Sequence, residues 1–167
     1  MIKTYVIDTN VLIQAPYAIE CFEENNLVLP LVVLEELDGL KKAEGEKGAN
    51  ARAAVRKLES YRQKGDLLQG VKLPGGGILR IEKNFVQVEL PQDIPDDKPD
   101  NRILKVCKGL AETEKEGQVI LVTKDIVLRL KAQILGIRAE DFERERISED
   151  DAQYTGRTEI YFPEDFA

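Results

Sequence analysis

Thr4-Tyr5-Val6-Ile7-Asp8-Thr9-Asn10, near the start of a 167-residue chain, reads as a short buried strand that ends in a polar turn. Its first four residues are β-branched or aromatic, and three hydrogen-bonding side chains then stop the run. Val119-Ile120-Leu121-Val122 is apolar throughout and stops in the same way, on Thr123-Lys124-Asp125. Strands without polar alternation are covered on both faces, as in parallel sheets. Leu27-Val28-Leu29 is a third such strand. Pro30 then opens a helix to about Lys42, with Val33, Leu34, Leu37 and Leu40 on one face. Further helices are expected over 16–24, 50–64, 100–115 and 125–135, a loop over 43–48, and an edge strand at Ile137-Arg138. Within residues 66–98, glycines and Pro74 punctuate two alternating runs, 78–82 and 85–89, which predict a β-hairpin inserted between helices. Strands alternating with helices specify an α/β fold with a mostly parallel central sheet.

Composition narrows the chemistry. Apolar residues make up 43% of the chain and charged residues 33%, against an average of about 25%. This suits one solvated domain with a real core. No apolar run reaches the ~20 residues of a bilayer span, and the N-terminus lacks a secretory pattern, so a soluble cytoplasmic protein is expected. The chain has no histidine, which excludes Ser-His-Asp and Cys-His catalysis and imidazole-bound zinc. Its two cysteines, Cys21 and Cys107, read as buried free thiols, and Pro74-Gly75-Gly76-Gly77 lacks the lysine and hydroxyl of a phosphate-binding loop. Carboxylate chemistry remains, and with it hard metal ions. The net charge of −7 hides a basic segment at 41–64, with eight Lys/Arg against three Glu, and an acidic one at 140–151, with seven acids against two Arg.

Ligands of open parallel sheets bind beyond the carboxyl ends of the strands, which is where Asp8 and Asp125 fall. Each has a plainer role available: an Asx turn with Thr9 and Asn10 for Asp8, a helix N-cap for Asp125. On the helix after Pro30, Glu35 points away from the apolar face, while Glu36 and Asp38 occupy its two margins. Spacing alone does not choose between the margins. Asp100 shares a helix face with Ile103, Leu104 and Cys107, so it is a first-turn cap, an ion-pair partner or a metal ligand. Two unit charges ~4 Å apart repel by roughly 4 kcal/mol at an effective dielectric of 20. Four converging carboxylates therefore need a counter-ion, and oxygen-only ligation suits Mg²⁺ or Mn²⁺. Such an ion activates water and stabilises the leaving oxygen of a phosphodiester.

The segments Val6-Ile7-Asp8-Thr9-Asn10, Pro30-Leu31-Val32-Val33-Leu34-Glu35-Glu36-Leu37, Asp100-Asn101-Arg102-Ile103 and Val122-Thr123-Lys124-Asp125 resemble the acidic motifs of PIN-domain ribonucleases. The resemblance implies a three-layer α/β sandwich and Mg²⁺- or Mn²⁺-dependent cleavage of single-stranded RNA. It also selects Glu36 over Asp38, because the family's second acid directly precedes a leucine. Asp8, Glu36, Asp100 and Asp125 would then be catalytic metal ligands, with Asn10 and Thr123 as supports. Gly48-Ala49-Asn50-Ala51-Arg52, Leu73-Pro74-Gly75-Gly76, Lys98-Pro99-Asp100-Asn101 and Tyr154-Thr155-Gly156 resemble the N-terminal PIN domain of PhoH-like proteins, where an ATPase domain follows. That implies a nuclease domain over 1–147 and an acidic tail or linker over 148–167.

Arg52 and Arg56 on the basic helix, and Arg129 and Lys131 beyond Asp125, are candidate RNA contacts. A solvated charged face is the alternative. With five Tyr, five Phe and no Trp, base-specific readout is not expected, and cleavage should follow strand accessibility. Other readings of the whole are a non-catalytic RNA-binding or oligomerisation module, a phosphoacceptor receiver domain and a toxin-type PIN protein. The receiver lacks its paired acids after the first strand and its lone acceptor aspartate. The toxins are usually shorter and lack the hairpin.

Overall fold

A computed structural model describes residues 2–83, 88–95, 97–113 and 118–142. The region 148–167, read as a tail or linker, lies outside the described residues. The strands β1 (Thr4–Ile7), β2 (Asn26–Pro30), β3 (Val71–Lys72), β4 (Ile78–Glu82), β5 (Val119–Val122) and β6 (Arg138–Glu140) form one sheet in the order β3-β4-β2-β1-β5-β6. Only β3 runs antiparallel to its neighbour. The helices are α1 (Thr9–Gln14), α2 (Leu31–Leu40), α3 (Gly45–Arg62), α4 (Pro99–Thr113) and α5 (Ile126–Ile134), with a 3₁₀ turn at Pro16–Glu20. None among the described residues is long and apolar enough to cross a membrane.

The apolar strands behave as their composition requires. Val6, Ile7, Leu27, Val28, Leu29, Ile120 and Leu121 are all sealed from solvent. β1 lies at the centre, with β2 and β4 on one side and β5 and β6 on the other. The chain thus reverses its winding at β1, and the crevice at the carboxyl end of β1 is the topological switch point where such sheets bind ligands.

Several local features differ from expectation, beginning with the helix expected over 16–24, which is a 3₁₀ turn over Pro16–Glu20. The polar turn after β1 is the first turn of α1, which Asp8 caps by accepting a hydrogen bond from Thr9 N. At six residues α1 is too short to show a period, and tertiary packing of Val11, Leu12 and Ile13 holds it. α3 starts at Gly45 instead of about 50. The expected loop over 43–48 is therefore helix from Gly45 on, and Gly48 within it lies against the Ala43 carbonyl, where an added Cβ would sit 1.7 Å from the oxygen.

The hairpin also forms elsewhere. Ile78–Glu82 pairs antiparallel with Val71–Lys72, and its other edge lies parallel to β2. Residues 84–87 of the expected second strand lie outside the described residues, and Val88, Glu89 and Leu90 form no strand. The turn is the proline-glycine run: Leu73 N donates to Gly77 O at 2.8 Å, and Gly76 takes φ +105. A Cβ on Gly77 would fall 1.8 Å from the carbonyl oxygen of Asn25, so only glycine lets the turn lie against the chain leading into β2. An alternating strand pairs with either neighbour; this turn chooses. Gly77→Ala should therefore lower stability by about 2–3 kcal/mol in urea unfolding, a large single-site effect.

Candidate active site at the end of β1

The parallel register of β1 and β5 sets Ile7 beside Val122, so Asp8 and Thr123 emerge side by side. Asp8 N donates to Val122 O at 3.1 Å, and Thr123 Oγ1 donates to Asp8 Oδ2 at 2.8 Å. With Thr9 N on Oδ1 at 2.6 Å, both carboxylate oxygens are fixed. Thr123 is itself sealed from solvent, and its hydroxyl also accepts from Asp125 N at 3.1 Å.

Glu36 arrives from α2. The buried face of that helix includes Val32, Val33 and Leu37, while Leu34 and Leu40 are half-buried. Including Val32 rotates the face toward Glu36, which is half-buried, and away from Asp38, which is exposed and paired with Lys41 at 2.8 Å. Thr9 Oγ1 donates to Glu36 Oε1. Asp100 stands half-buried in the first turn of α4, whose Ile103, Leu104 and Cys107 face the core.

Asp8, Glu36 and Asp100 line one cleft of about 400 Å³, together with Thr9, Asn10, Gly39, Leu40 and Lys47. Asp8 is only 2% exposed. Burial raises its pKa most, the Thr123 hydrogen bond opposes, the Asp100 charge raises it further, the Thr9 N–H opposes and the Glu36 charge adds; together they push it up to about 6. No ion pair to Asp8 occurs among the described residues. A buried carboxylate facing two others, with hard oxygen donors only, fits a divalent cation. Among the described residues, however, no three acidic, cysteine or histidine side chains are near enough to hold one ion jointly, so the carboxylates line the cleft without closing on a point.

The remaining candidates lie as follows. Asp125 caps α5, accepting from Val127 N at 2.9 Å, and is not among the residues lining the cleft. Asn10 is exposed on the cleft. Arg52 donates to the Lys41 carbonyl at 2.7 Å and closes the α2–α3 connection. Arg56 is exposed. Arg129 donates to Thr123 O at 2.8 Å and lies 3.8 Å from Asp141, whereas Lys131 donates to Oδ1 of the sealed Asn101 at 3.0 Å. Both act as internal struts.

Sequence reasoning missed Thr9 and Lys47. The N-cap aspartate before Val11-Leu12-Ile13 was the available signal for Thr9, because it makes Thr9 the first helical residue. Lys47, in the stretch expected to be a loop, carried none.

A PIN domain family model matches residues 5–143. Protein PhoH2 of Bacillus subtilis is 47% identical over 166 residues, covering 96% of this chain and 38% of that protein. Protein PhoH2 of Mycolicibacterium smegmatis is 38% identical over 162 residues, covering 95% and 36%. The chain thus spans just over a third of the length of these relatives. A domain of a functionally unknown protein from Methanocaldococcus jannaschii shares the fold at a TM-score of 0.51 and 22% identity, over 84% of this chain and 91% of that one. PIN domains are generally nucleases that use divalent metal ions. A match over most of the chain, on a parallel sheet with acids gathered at its switch point, means that this chain belongs to the PIN domain family.

Proposed function

We propose that the cleft hydrolyses phosphodiester bonds of single-stranded RNA with Mg²⁺ or Mn²⁺. The observation that carries this reading is the buried Asp8 carboxylate, fixed by Thr9 and Thr123 and facing Glu36 and Asp100 across a cleft. Asp8, Glu36 and Asp100 would hold the cation, directly or through its bound waters, and it would supply an activated water and charge for the leaving oxygen. Magnesium keeps several of its waters, and an open arrangement of carboxylates accommodates that.

The chain's own groups do the rest. Thr9 orients Glu36 and Thr123 orients Asp8, as hydrogen-bonded supports orient ligands generally. Lys47, exposed on the cleft lining, offers a cation to a phosphate of the strand, and Asn10 offers an amide. Asp125 acts at one remove, since Thr123 accepts from its backbone N–H. A PhoH-type ATPase domain is the partner this reading favours, because the PhoH2 relatives extend far beyond the matched segment, and the cytoplasm is the compartment it favours.

Cleavage of single-stranded RNA in Mn²⁺ tests this. Asp8→Asn and Asp100→Asn should each fall below about a hundredth of wild-type rate, whereas Asp125→Asn, which keeps the backbone N–H on Thr123 and a capping oxygen for Val127 N, should stay close to it. An active Asp100→Asn protein would overturn the ligand assignment. Lys47→Gln should weaken RNA affinity and reduce the salt slope by about 0.7, the loss of one single-strand phosphate contact. Lys131→Gln should lower stability and leave that slope alone.

The raised Asp8 carboxyl also gives a pH signature. In the folded state it keeps its proton to about pH 6, while its ordinary value of 3.8 applies on unfolding. The unfolded chain therefore binds fewer protons between those values, and the ion-free protein loses stability as pH rises from about 4 to 6. Thermal unfolding in chelator should show a smaller loss between pH 4.5 and 7.5 for Asp8→Asn than for wild type. Mn²⁺ at a hundred times its Kd should restore about 2.7 kcal/mol to wild type at pH 7.5.

A further inference from the structure

The far edge of the sheet carries a second surface, which shares no lining residue with the cleft. On α5, Leu128 and Ala132 face the core, whereas Ile126, Leu130 and Ile134 are 60%, 53% and 72% exposed. Four-residue spacing places these three in one stripe. Ile126 and Leu130 also line a groove of about 350 Å³ with Ile137, Arg138 and Ala139, so the stripe runs down to β6. Exposed apolar surface of this kind, beside a strand edge with which no described strand pairs, marks an association site.

β6 itself indicates the occupant. Glu140 O turns toward β5, accepting from Thr123 N at 3.0 Å. Strand alternation then turns the N–H and C=O of Ala139 outward, away from β5. Among the described residues no strand pairs with that edge. Arg138 and Glu140 flank Ala139 on one face of the sheet and pair with each other at 3.0 Å. In an antiparallel pairing of two copies of β6 about Ala139, the two alanines exchange two backbone hydrogen bonds. Arg138 of each copy then lies opposite Glu140 of the other, so the edge is charge-complementary to itself. The symmetry axis of such a pairing stands normal to the sheet, which sets both α5 helices on the same side of the joint, stripe toward stripe.

We propose that β6 and α5 form a homodimer interface in which a second copy of this chain extends the sheet edge to edge. The test is sedimentation equilibrium of the full 167-residue chain and its variants. Wild type should titrate to twice the 18.8 kDa chain mass. Arg138→Glu sets two like-charge pairs across the joint and should weaken dimerisation about tenfold. The double variant Arg138→Glu/Glu140→Arg should restore it. Leu130→Glu, at an exposed position, should give monomer with unchanged circular dichroism. A wild type that stays monomeric at millimolar concentration would overturn the proposal, as would a dimer that ignores Leu130→Glu and both charge variants. Protection of α5 amides by residues 143–167 in a monomer would also overturn it, by assigning the stripe to the chain's own tail.

Discussion

The register of β1 against β5 is the constraint on which the site depends. Ile7 beside Val122 is a pairing of apolar residues, fixed by burial on both faces, and it determines what comes next on each strand. Asp8 and Thr123, 115 positions apart, leave the sheet together and join through one hydrogen bond. A slip of one residue would turn each apolar side chain of β5 to the opposite face and carry Thr123 out of reach. The hydrophobic effect thus places a polar contact that would have little strength to place itself. That contact satisfies one oxygen of the buried Asp8 and Thr9 N the other, which is the condition for keeping a carboxylate there.

Satisfaction by hydrogen bonds does not neutralise the charge. Asp8 still meets Asp100 and Glu36, and the balance leaves its carboxyl proton on to about pH 6. Elsewhere the protein handles acids differently: Asp38 meets Lys41, Glu59 meets Arg62, and Glu20 meets Lys57 and the Tyr61 hydroxyl. Those neighbours hold all three carboxyls below their usual range. The contrast isolates the cleft. Around the end of β1 the chain concentrates like charge that it balances with lysine and arginine on its surface, which is the electrostatic pattern of a functional site.

Much of this was legible in the sequence because strong signals act locally. Unbroken apolar runs gave β1, β2 and β5, and Gly136 after a helical stretch placed the turn into β6. The margin position of Glu36 followed from the α2 period, but its choice over Asp38 depended on Val32 rotating the buried face, a tertiary fact. The hairpin was misplaced because the alternation of 78–82 says only that a strand exists; its neighbour is set by Gly77 meeting Asn25. Arg129 and Lys131 looked like surface cations because sequence shows a charge and not its partner, and both partners, Thr123 O and Asn101, lie within the fold. Lys47 shows the reverse case, where an exposed lysine matters only through what it stands beside.

Thr123 also ties the cleft to the edge of the sheet. Its hydroxyl holds Asp8 and receives Asp125 N, its N–H donates to Glu140 O, and its carbonyl receives Arg129. All three polar groups of this sealed residue are therefore committed, in four hydrogen bonds, two toward Asp8 and Asp125 and two toward β6 and α5. That backbone bond is one of those holding β6 to β5, and Asp125 is the N-cap of α5. Displacing the edge strand would pull on the residue that fixes Asp8, whereas a covered edge would hold it still. The rigidity that the cleft needs for ordered carboxylates and the pairing that an open strand edge invites thus act on one threonine.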